Sequence, residues 1–275
     1  MILLDGKKLS NEIIENIKEE INSKNIEIGF AVIWVGNDEA SSVYVKNKLK
    51  KCEYVGIKTE LFHLDENVSE KELINLINEL NDRNDINGIL LQSPVPKHIN
   101  ITNCFNSIDY KKDIDGFSNI SVGNLYLGSP YHVSCTPKGI IKLLDNYNID
   151  LDGKNVCLIN RSNIVGKPLF HLLIERNATV TMCHSKTIDL KEFTKNADIV
   201  ISAVGKPNFI KADMVKEDVV IIDVGISRID GKVVGDVDFA EVSKKASYIT
   251  PVPGGVGPMT IAMVLENILD TLREE

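Results

Sequence analysis

No apolar run in this chain approaches the roughly 20 residues needed to cross a bilayer; the longest, such as Ile199 to Val204, are strand-length, so no membrane partner is expected. Basic charge is also in short supply. With 31 Lys and Arg against 39 Asp and Glu, the net charge of -8 excludes nucleic-acid binding by bulk electrostatics and leaves open only a local basic groove. The opening Met1-Ile2-Leu3-Leu4-Asp5-Gly6-Lys7 places an acid and a glycine where a signal peptide carries its apolar region, which argues against export. Five cysteines (52, 104, 135, 157 and 183) form no C-x-x-C pair. Neither a disulfide framework nor a thiolate metal site is therefore expected, and this usage fits the reducing cytoplasm. No internal repeat or low-complexity tract is present, and the G-x-G-x-x-G fingerprint is missing. What remains is the composition of a globular chain, 43% hydrophobic and 25% charged, whose 275 residues suit about two domains at roughly 150 residues each.

Apolar periodicity assigns the elements. From Ser10 to Ile21 the residues Ile13, Ile14, Ile17 and Ile21 recur at helical spacing, whereas Ile28 to Val35 is a continuous β-rich run ending at Gly36-Asn37-Asp38. Ser41 reads as the N-terminal cap of a lysine-rich helix that reaches Val55 and closes at Gly56. A strand at Lys58 to Leu64, a helix from Ser69 to Leu80 and a buried strand at Ile86 to Leu91 complete a β-α-β-α-β order, the mark of a parallel sheet. Residues 97–136 lose periodicity and collect turn formers, so they read as an inter-domain stretch. After a helix at Lys138 to Tyr147 the alternation resumes. Strands are expected at Asn155 to Ile159, Ala178 to Met182, Ile199 to Val204, Val219 to Val224 and Ser247 to Thr250, with helices from Gly166 and Leu190 between them. A long apolar helix at Thr260 to Leu272 closes the chain. The predicted fold class is α/β, with two α/β domains of which the second is Rossmann-like.

Several segments carry possible chemistry. Asn160-Arg161-Ser162-Asn163-Ile164-Val165-Gly166 joins a strand to a helix, where backbone N–H groups can meet phosphate, although the same segment also reads as an ordinary connecting loop. The next strand ends in Cys183-His184-Ser185-Lys186-Thr187, hydroxyls and cations in place of the Asp or Glu that suits NAD; this favours the 2′-phosphate of NADP unless these are simply solvated loop residues. Tyr44 and Lys48 share one helix face, and a lysine partly desolvated beside an aromatic wall suits proton transfer; the plainer reading is a surface pair. Gln92 stands at the carboxyl end of a parallel strand, where α/β sheets bind ligands. Asp113 and Asp115 precede Gly116; a carboxylate there can hold an amino-pyrimidine edge, or merely form an Asp-Gly turn. The segment from Thr250 to Thr260 packs three prolines and three glycines ahead of a helix, a density that suits a shaped backbone wall. Cys135 reads as a packing residue.

Taken together and in order, Tyr44-Val45-Lys46-Asn47-Lys48, Gly88 to Pro94, Lys112 to Phe117, Cys135-Thr136-Pro137, Arg161 to Gly166, Asp223-Val224-Gly225-Ile226 and Pro251 to Thr260 resemble the bifunctional methylenetetrahydrofolate dehydrogenase/methenyltetrahydrofolate cyclohydrolase (FolD) family. The match runs from about Asp5 to about Leu269 and departs at Asn160, where the family's loop has glycine, and at Ser93, where it has leucine. The resemblance implies a folate-binding catalytic domain over residues 1–136, completed by a C-terminal helix at 258–275, a Rossmann-like NADP domain over 137–257, and folate in the cleft between them. It further implies oxidation of 5,10-methylenetetrahydrofolate to the methenyl cation with NADP, hydrolysis of that cation to 10-formyltetrahydrofolate, and a cytoplasmic homodimer serving one-carbon metabolism and purine biosynthesis. Carried over by motif, Tyr44 stacks on the folate, Lys48 transfers protons and activates water, Gln92 tunes Lys48, and Asp115 holds the pterin. Pro253, Gly254 and Gly255 form the wall beside the substrate. Arg161, Ser162 and Ser185 face the adenosine phosphate of NADP and Ile226 its nicotinamide side, and Asn160 and Ile164 are further cofactor-binding residues. Two alternatives stay open, a dehydrogenase without the hydrolytic step and a non-catalytic binding protein on the same scaffold; retention of Lys48, Gln92 and Asp115 together argues against the second.

Overall fold

The strand Gly29–Val35 is buried at every one of its positions, which requires cover on both faces of its sheet and matches the parallel α/β reading. The computed structural model describes residues 1–272, apart from the side chains of residues 39–41 and 43; the helix expected to be capped by Ser41 already begins at Glu39, which puts Ser41 inside its first turn. In the first half of the chain the elements are β1 (Ile2–Leu3), α1 (Gly6–Lys24), β2 (Gly29–Val35), α2 (Glu39–Val55), β3 (Lys58–Leu64), α3 (Glu70–Asp82), β4 (Gly88–Leu91), α4 (Ile101–Ser107) and α5 (Asn119–Tyr126). There follow α6 (Cys135–Asn146), β5 (Asn155–Ile159), α7 (Gly166–Ile174), β6 (Thr179–Cys183), α8 (Leu190–Asn196), β7 (Ile199–Ser202) and β8 (Val220–Asp223). Last come β9 (Ser227–Ile229), β10 (Lys232–Val234), α9 (Phe239–Val242), β11 (Tyr248–Ile249) and α10 (Val256–Asp270). They group into two compact units, one made of residues 12–135 and 261–275, the other of 1–11 and 136–260. No described helix is long and apolar enough to cross a membrane.

In the unit spanning 12–135, the parallel sheet has the order β3-β2-β4, with Phe30 opposite Gly88 and Ile33 opposite Leu91. Helix α3 starts in a full capping box, in which the Ser69 side chain accepts from Glu72 N–H while Glu72 reaches back to Ser69 N–H. Its Leu73, Ile77 and Leu80, spaced by four and three, bury one stripe against Ile33, Ile89 and Leu91. The edge strand β3 has no fully buried position, and Arg83 forks onto Glu60 and Asp85 beside it. Residues 97–136, expected as a connector, are instead built structure, almost all of it within this unit. The turn formers that suggested a linker serve as caps: Asn100 accepts from Thr102 N–H to start α4, and Ser118 from Ser121 N–H to start α5. Between these helices, Ile89 N–H donates to Lys112 O, so the segment before Asp115 runs beside β4.

The other unit is a six-stranded parallel sheet in the order β1-β11-β8-β7-β5-β6. Residues 1–11, expected with the first domain, go with this sheet, because β1 pairs with β11 and Leu4 is fully buried in its core. After β5 the chain first goes to β6 on one side and then to β7 on the other. The switch point, where open α/β sheets bind ligands, therefore lies at the carboxyl ends of β5 and β7.

Lys112 anchors the approach to Asp115, since its Nζ donates to Leu80 O at 3.2 Å and to Asn81 O and Arg83 O at 2.7 Å each, closing the C-terminus of α3. Desolvation holds this amine below its ordinary pKa. Replacing it (Lys112→Met) keeps the stem and strands three carbonyls; unfolding in urea should show a loss of about 2 kcal/mol.

Candidate active site

Helix α2 and strand β4 bring the first group of expected residues together. Tyr44 lies one turn before Lys48 with its ring exposed, and the half-buried Lys48 Nζ donates to Gln92 Oε1 at 3.3 Å. Gln92 is fixed from both ends: its backbone N–H donates to Ile33 O at 2.8 Å and its Nε2 to Ser93 O at 2.7 Å, which turns the amide oxygen toward the lysine. The peptide bond between Ser93 and Pro94 is cis.

The two carboxylates before Gly116 differ in role. Asp113 is buried and accepts from Ser118 N–H and Ser121 Oγ, both at 2.8 Å, so it organises the start of α5. Asp115 faces Lys48 electrostatically. Although part of the residue meets solvent, its carboxyl lies deep among protein atoms, and this burial pushes its pKa up; the Lys48 charge and a hydrogen bond from Cys135 pull the other way, and the Asp113 charge adds to the rise. Gly116 takes a left-handed φ of 65° where a Cβ would come within 3.0 Å of His132 O. Behind this loop, the buried Asn267 of α10 donates from Nδ2 to Ile114 O at 2.8 Å and Val133 O at 2.9 Å, and lies 3.5 Å from Cys135 Sγ. Asn267 escaped the sequence reading, whose only available signal was a lone amide within an apolar helix.

At the switch point of the six-stranded sheet, Asn160 follows β5 directly. Its Nδ2 donates to Ala203 O beyond β7, and its Oδ1 accepts from Ser162 N–H at 2.7 Å and Gly166 N–H at 3.1 Å. The side chain is thus folded into the loop and builds it. A Cβ on Gly166 would sit 2.4 Å from Asn160 O, which explains the one glycine this loop keeps. Ser162 Oγ is also engaged, accepting from Val165 N–H at 3.1 Å. Arg161 and Ser185 are exposed, and neither side chain hydrogen-bonds to a described residue; Ile164 and Ile226 are about half exposed. Beside Ser185, His184 N–H donates to Thr187 Oγ1 at 2.8 Å and Lys186 N–H to His184 Nδ1 at 3.1 Å, a turn that presents the Ser185 hydroxyl outward. A cavity of about 500 Å³ lies at the opposite, amino-terminal ends of these strands, where Lys216 and Asp198 already pair.

The Pro-Gly corner belongs to the same unit. The bond between Val252 and Pro253 is cis and Pro253 is exposed. The glycines have packing reasons: Gly254 has a φ of 110° and its carbonyl accepts from Lys7 N–H at 2.8 Å, while a Cβ on Gly255 would meet Pro251 O at 2.6 Å.

Residues 4–115 match the profile of the tetrahydrofolate dehydrogenase/cyclohydrolase catalytic domain, and residues 134–275 that of the family's NAD(P)-binding domain. The chain is 54% identical to the bifunctional protein FolD of Agathobacter rectalis, over 98% of this chain and 99% of that one. The solved bifunctional enzyme FolD of Campylobacter jejuni is 53% identical with a TM-score of 0.96, over 98% of both chains. The methylenetetrahydrofolate dehydrogenase-cyclohydrolase of Trypanosoma brucei, solved with NADP cofactor and inhibitor, is 33% identical with a TM-score of 0.93, over 98% of this chain and 97% of that one.

Asn267→Leu keeps the volume and removes both donors to the loop that carries Asp115. Stability should fall by about 2 to 4 kcal/mol in denaturant titrations, and a variant as stable as the parent would show that the loop holds itself.

Proposed function

Since the chain belongs to the tetrahydrofolate dehydrogenase/cyclohydrolase family, we propose that it oxidises 5,10-methylenetetrahydrofolate with NADP to the 5,10-methenyl cation and hydrolyses that cation to 10-formyltetrahydrofolate. The observation that carries the reading is the hydrogen bond between Lys48 Nζ and Gln92 Oε1 beside the buried Asp115 carboxyl. Oxidation removes a hydride from the methylene carbon, and NADP, when bound, supplies the acceptor. The chain's own work there is to orient two rings, with Tyr44 stacking on the folate, Asp115 holding the pterin edge, and Pro253, Gly254 and Gly255 walling the substrate. In the hydrolytic step water adds to the cationic carbon and loses a proton, for which Lys48 is the acceptor; the carbinolamine so formed then breaks its bond to N5, which leaves as N–H with a proton returned to it while the hydroxyl proton is lost, and the carbonyl stays on N10. Gln92 suits this role because it offers a neutral oxygen. A carboxylate in its place would form an ion pair that favours the protonated amine.

For NADP, the donor set fits the group. Exposed Arg161 and Ser185 are available to a 2′-phosphate, and the strand that ends at Cys183 is followed by His184, Ser185 and Lys186 with no acid to repel it. Asn160, Ser162 and Ile164 shape the loop on the phosphate side, and Ile226 lines the nicotinamide side. The folate-binding catalytic domain is assigned to residues 12–135 with the C-terminal stretch from 261, of which 273–275 lie outside the described residues, and the NADP domain to 136–260 together with residues 1–11. The same reading makes the enzyme a cytoplasmic homodimer of one-carbon metabolism and purine biosynthesis; five buried free thiols support a reducing compartment.

Two substitutions test the assignment. Lys48→Met should abolish hydrolysis of the methenyl substrate, measured by its absorbance without nucleotide, while circular dichroism stays at the parent's; near-normal hydrolysis would remove Lys48 from the mechanism. Arg161→Ala should lower kcat/KM for NADP by roughly 10- to 150-fold, the loss of one charge-assisted contact, and affect NAD much less. Equal loss for both nucleotides would reassign Arg161 to the pyrophosphate or to the loop itself.

A further inference from the structure

Two buried carboxylates outside the residues assigned above meet beyond the carboxyl ends of β7 and β8. Asp223 is 4% exposed and Asp236 fully buried. Asp236 Oδ2 accepts from the Ser202 hydroxyl at 2.9 Å and Val204 N–H at 2.7 Å, and its Oδ1 from Lys206 N–H at 2.8 Å. Asp223 Oδ1 accepts from Gly225 N–H at 3.0 Å and Asp236 N–H at 2.9 Å, and its Oδ2 from Val237 N–H at 2.9 Å. The packing is reciprocal. A Cβ on Gly225 would lie 2.1 Å from Asp236 Oδ1, and one on Gly235 would lie 2.0 Å from Asp223 Oδ2, so each acid fills the space that the glycine near the other leaves open.

Burying two like charges together is costly, and an apolar pair of similar volume would pack at less expense. Desolvation, with a smaller contribution from Asp236, pushes the Asp223 carboxyl up to about 6 even though three backbone N–H groups donate to it. What the acids provide that apolar side chains could not is acceptors for the backbone of three strand exits, residues 203–206, 224–227 and 235–237. Ser227 Oγ joins two of these exits again by donating to Gly205 O at 3.2 Å. The side chain that immediately follows the clasped Gly225 is Ile226, half exposed at the carboxyl end of β8.

We propose that the Asp223–Asp236 clasp positions the nucleotide-facing backbone for hydride transfer, with Asp236 as a positioning residue that acts through the loop carrying Ile226. This rests on the NADP-linked oxidation proposed above and deepens it: the adenosine end of the nucleotide is held at the exits of β5 and β6, whereas the clasp governs the reacting end. In Asp236→Asn either orientation of the amide sets its NH2 against a backbone N–H, of Val204 or of Lys206, so the exits must shift while the side-chain volume is kept.

The test uses the intact enzyme and its two activities. For Asp236→Asn, kcat of NADP-linked oxidation should fall by about 10-fold or more, the penalty of a displaced reacting geometry, while the KM for NADP and the affinity for adenosine 2′,5′-bisphosphate stay within about twofold. Nucleotide-independent hydrolysis of the methenyl substrate should also be kept. Ser202→Ala, which deletes one donor to Asp236, carries the same test if the first variant fails to fold, with a smaller fall in kcat. An unchanged kcat in a folded variant would overturn the proposal. So would a parallel loss of oxidation, bisphosphate binding and hydrolysis, which marks the clasp as structural glue. A parent that hydrolyses the methenyl substrate but does not oxidise the methylene substrate would overturn the underlying reading along with it.

Discussion

Buried parallel strands release unpaired backbone N–H and C=O groups at their carboxyl edges, and each of these must find a partner inside the chain. In this protein the partners are short polar side chains placed one to a few residues beyond a strand or delivered from another element. Gln92 continues the ladder of β4 through its own N–H and spends its side-chain NH2 on the next carbonyl. Asn160 joins the exit of β5 to that of β7 and caps the first turn of α7. Asp236 collects the exit of β7. Asp113 is spent on this demand and is structural, whereas Asp115, two positions on, keeps its carboxyl for other use.

The partition between a neutral and a charged neighbour gives the Lys48 group its character. Gln92 holds the amine at hydrogen-bond distance without an opposing charge, while the Asp115 carboxyl, pushed up by burial and pulled down by Lys48, meets that amine only through its field. An amide thus locates the amine without the opposing charge that a direct ion pair would bring.

Much of this architecture was legible in the sequence, and the parts that were not share a cause. Strand Gly29–Val35 and helix Glu70–Asp82 could be read because apolar pattern acts within one element. Tyr44, Lys48, Gln92 and Asp115 stood out through motif order. Residues 97–136 were misread because Asn100 and Ser118 are turn formers in composition and helix caps in position, a difference that appears only once their partners are placed. Asn267 and Asp236 were missed for a related reason: each answers backbone groups far away in sequence, Ile114 and Val204 among their partners, so no local pattern announces them. Asn160 stood out only as the residue in place of a glycine; its use of both side-chain polar atoms, in three hydrogen bonds within its own loop and to the next strand exit, is a property of the fold.

Strand β1 makes closure of the large sheet depend on a long-range contact. Ile2 lies opposite Tyr248 and Leu3 opposite Ile249, so the outermost strand is seated against residues that follow it by most of the sequence. Loop-closure entropy makes so distant a pairing slow to form. Ile2, Leu3 and Leu4, the last of which ends up in the core, therefore have no strand to join until β11 is itself in place on β8.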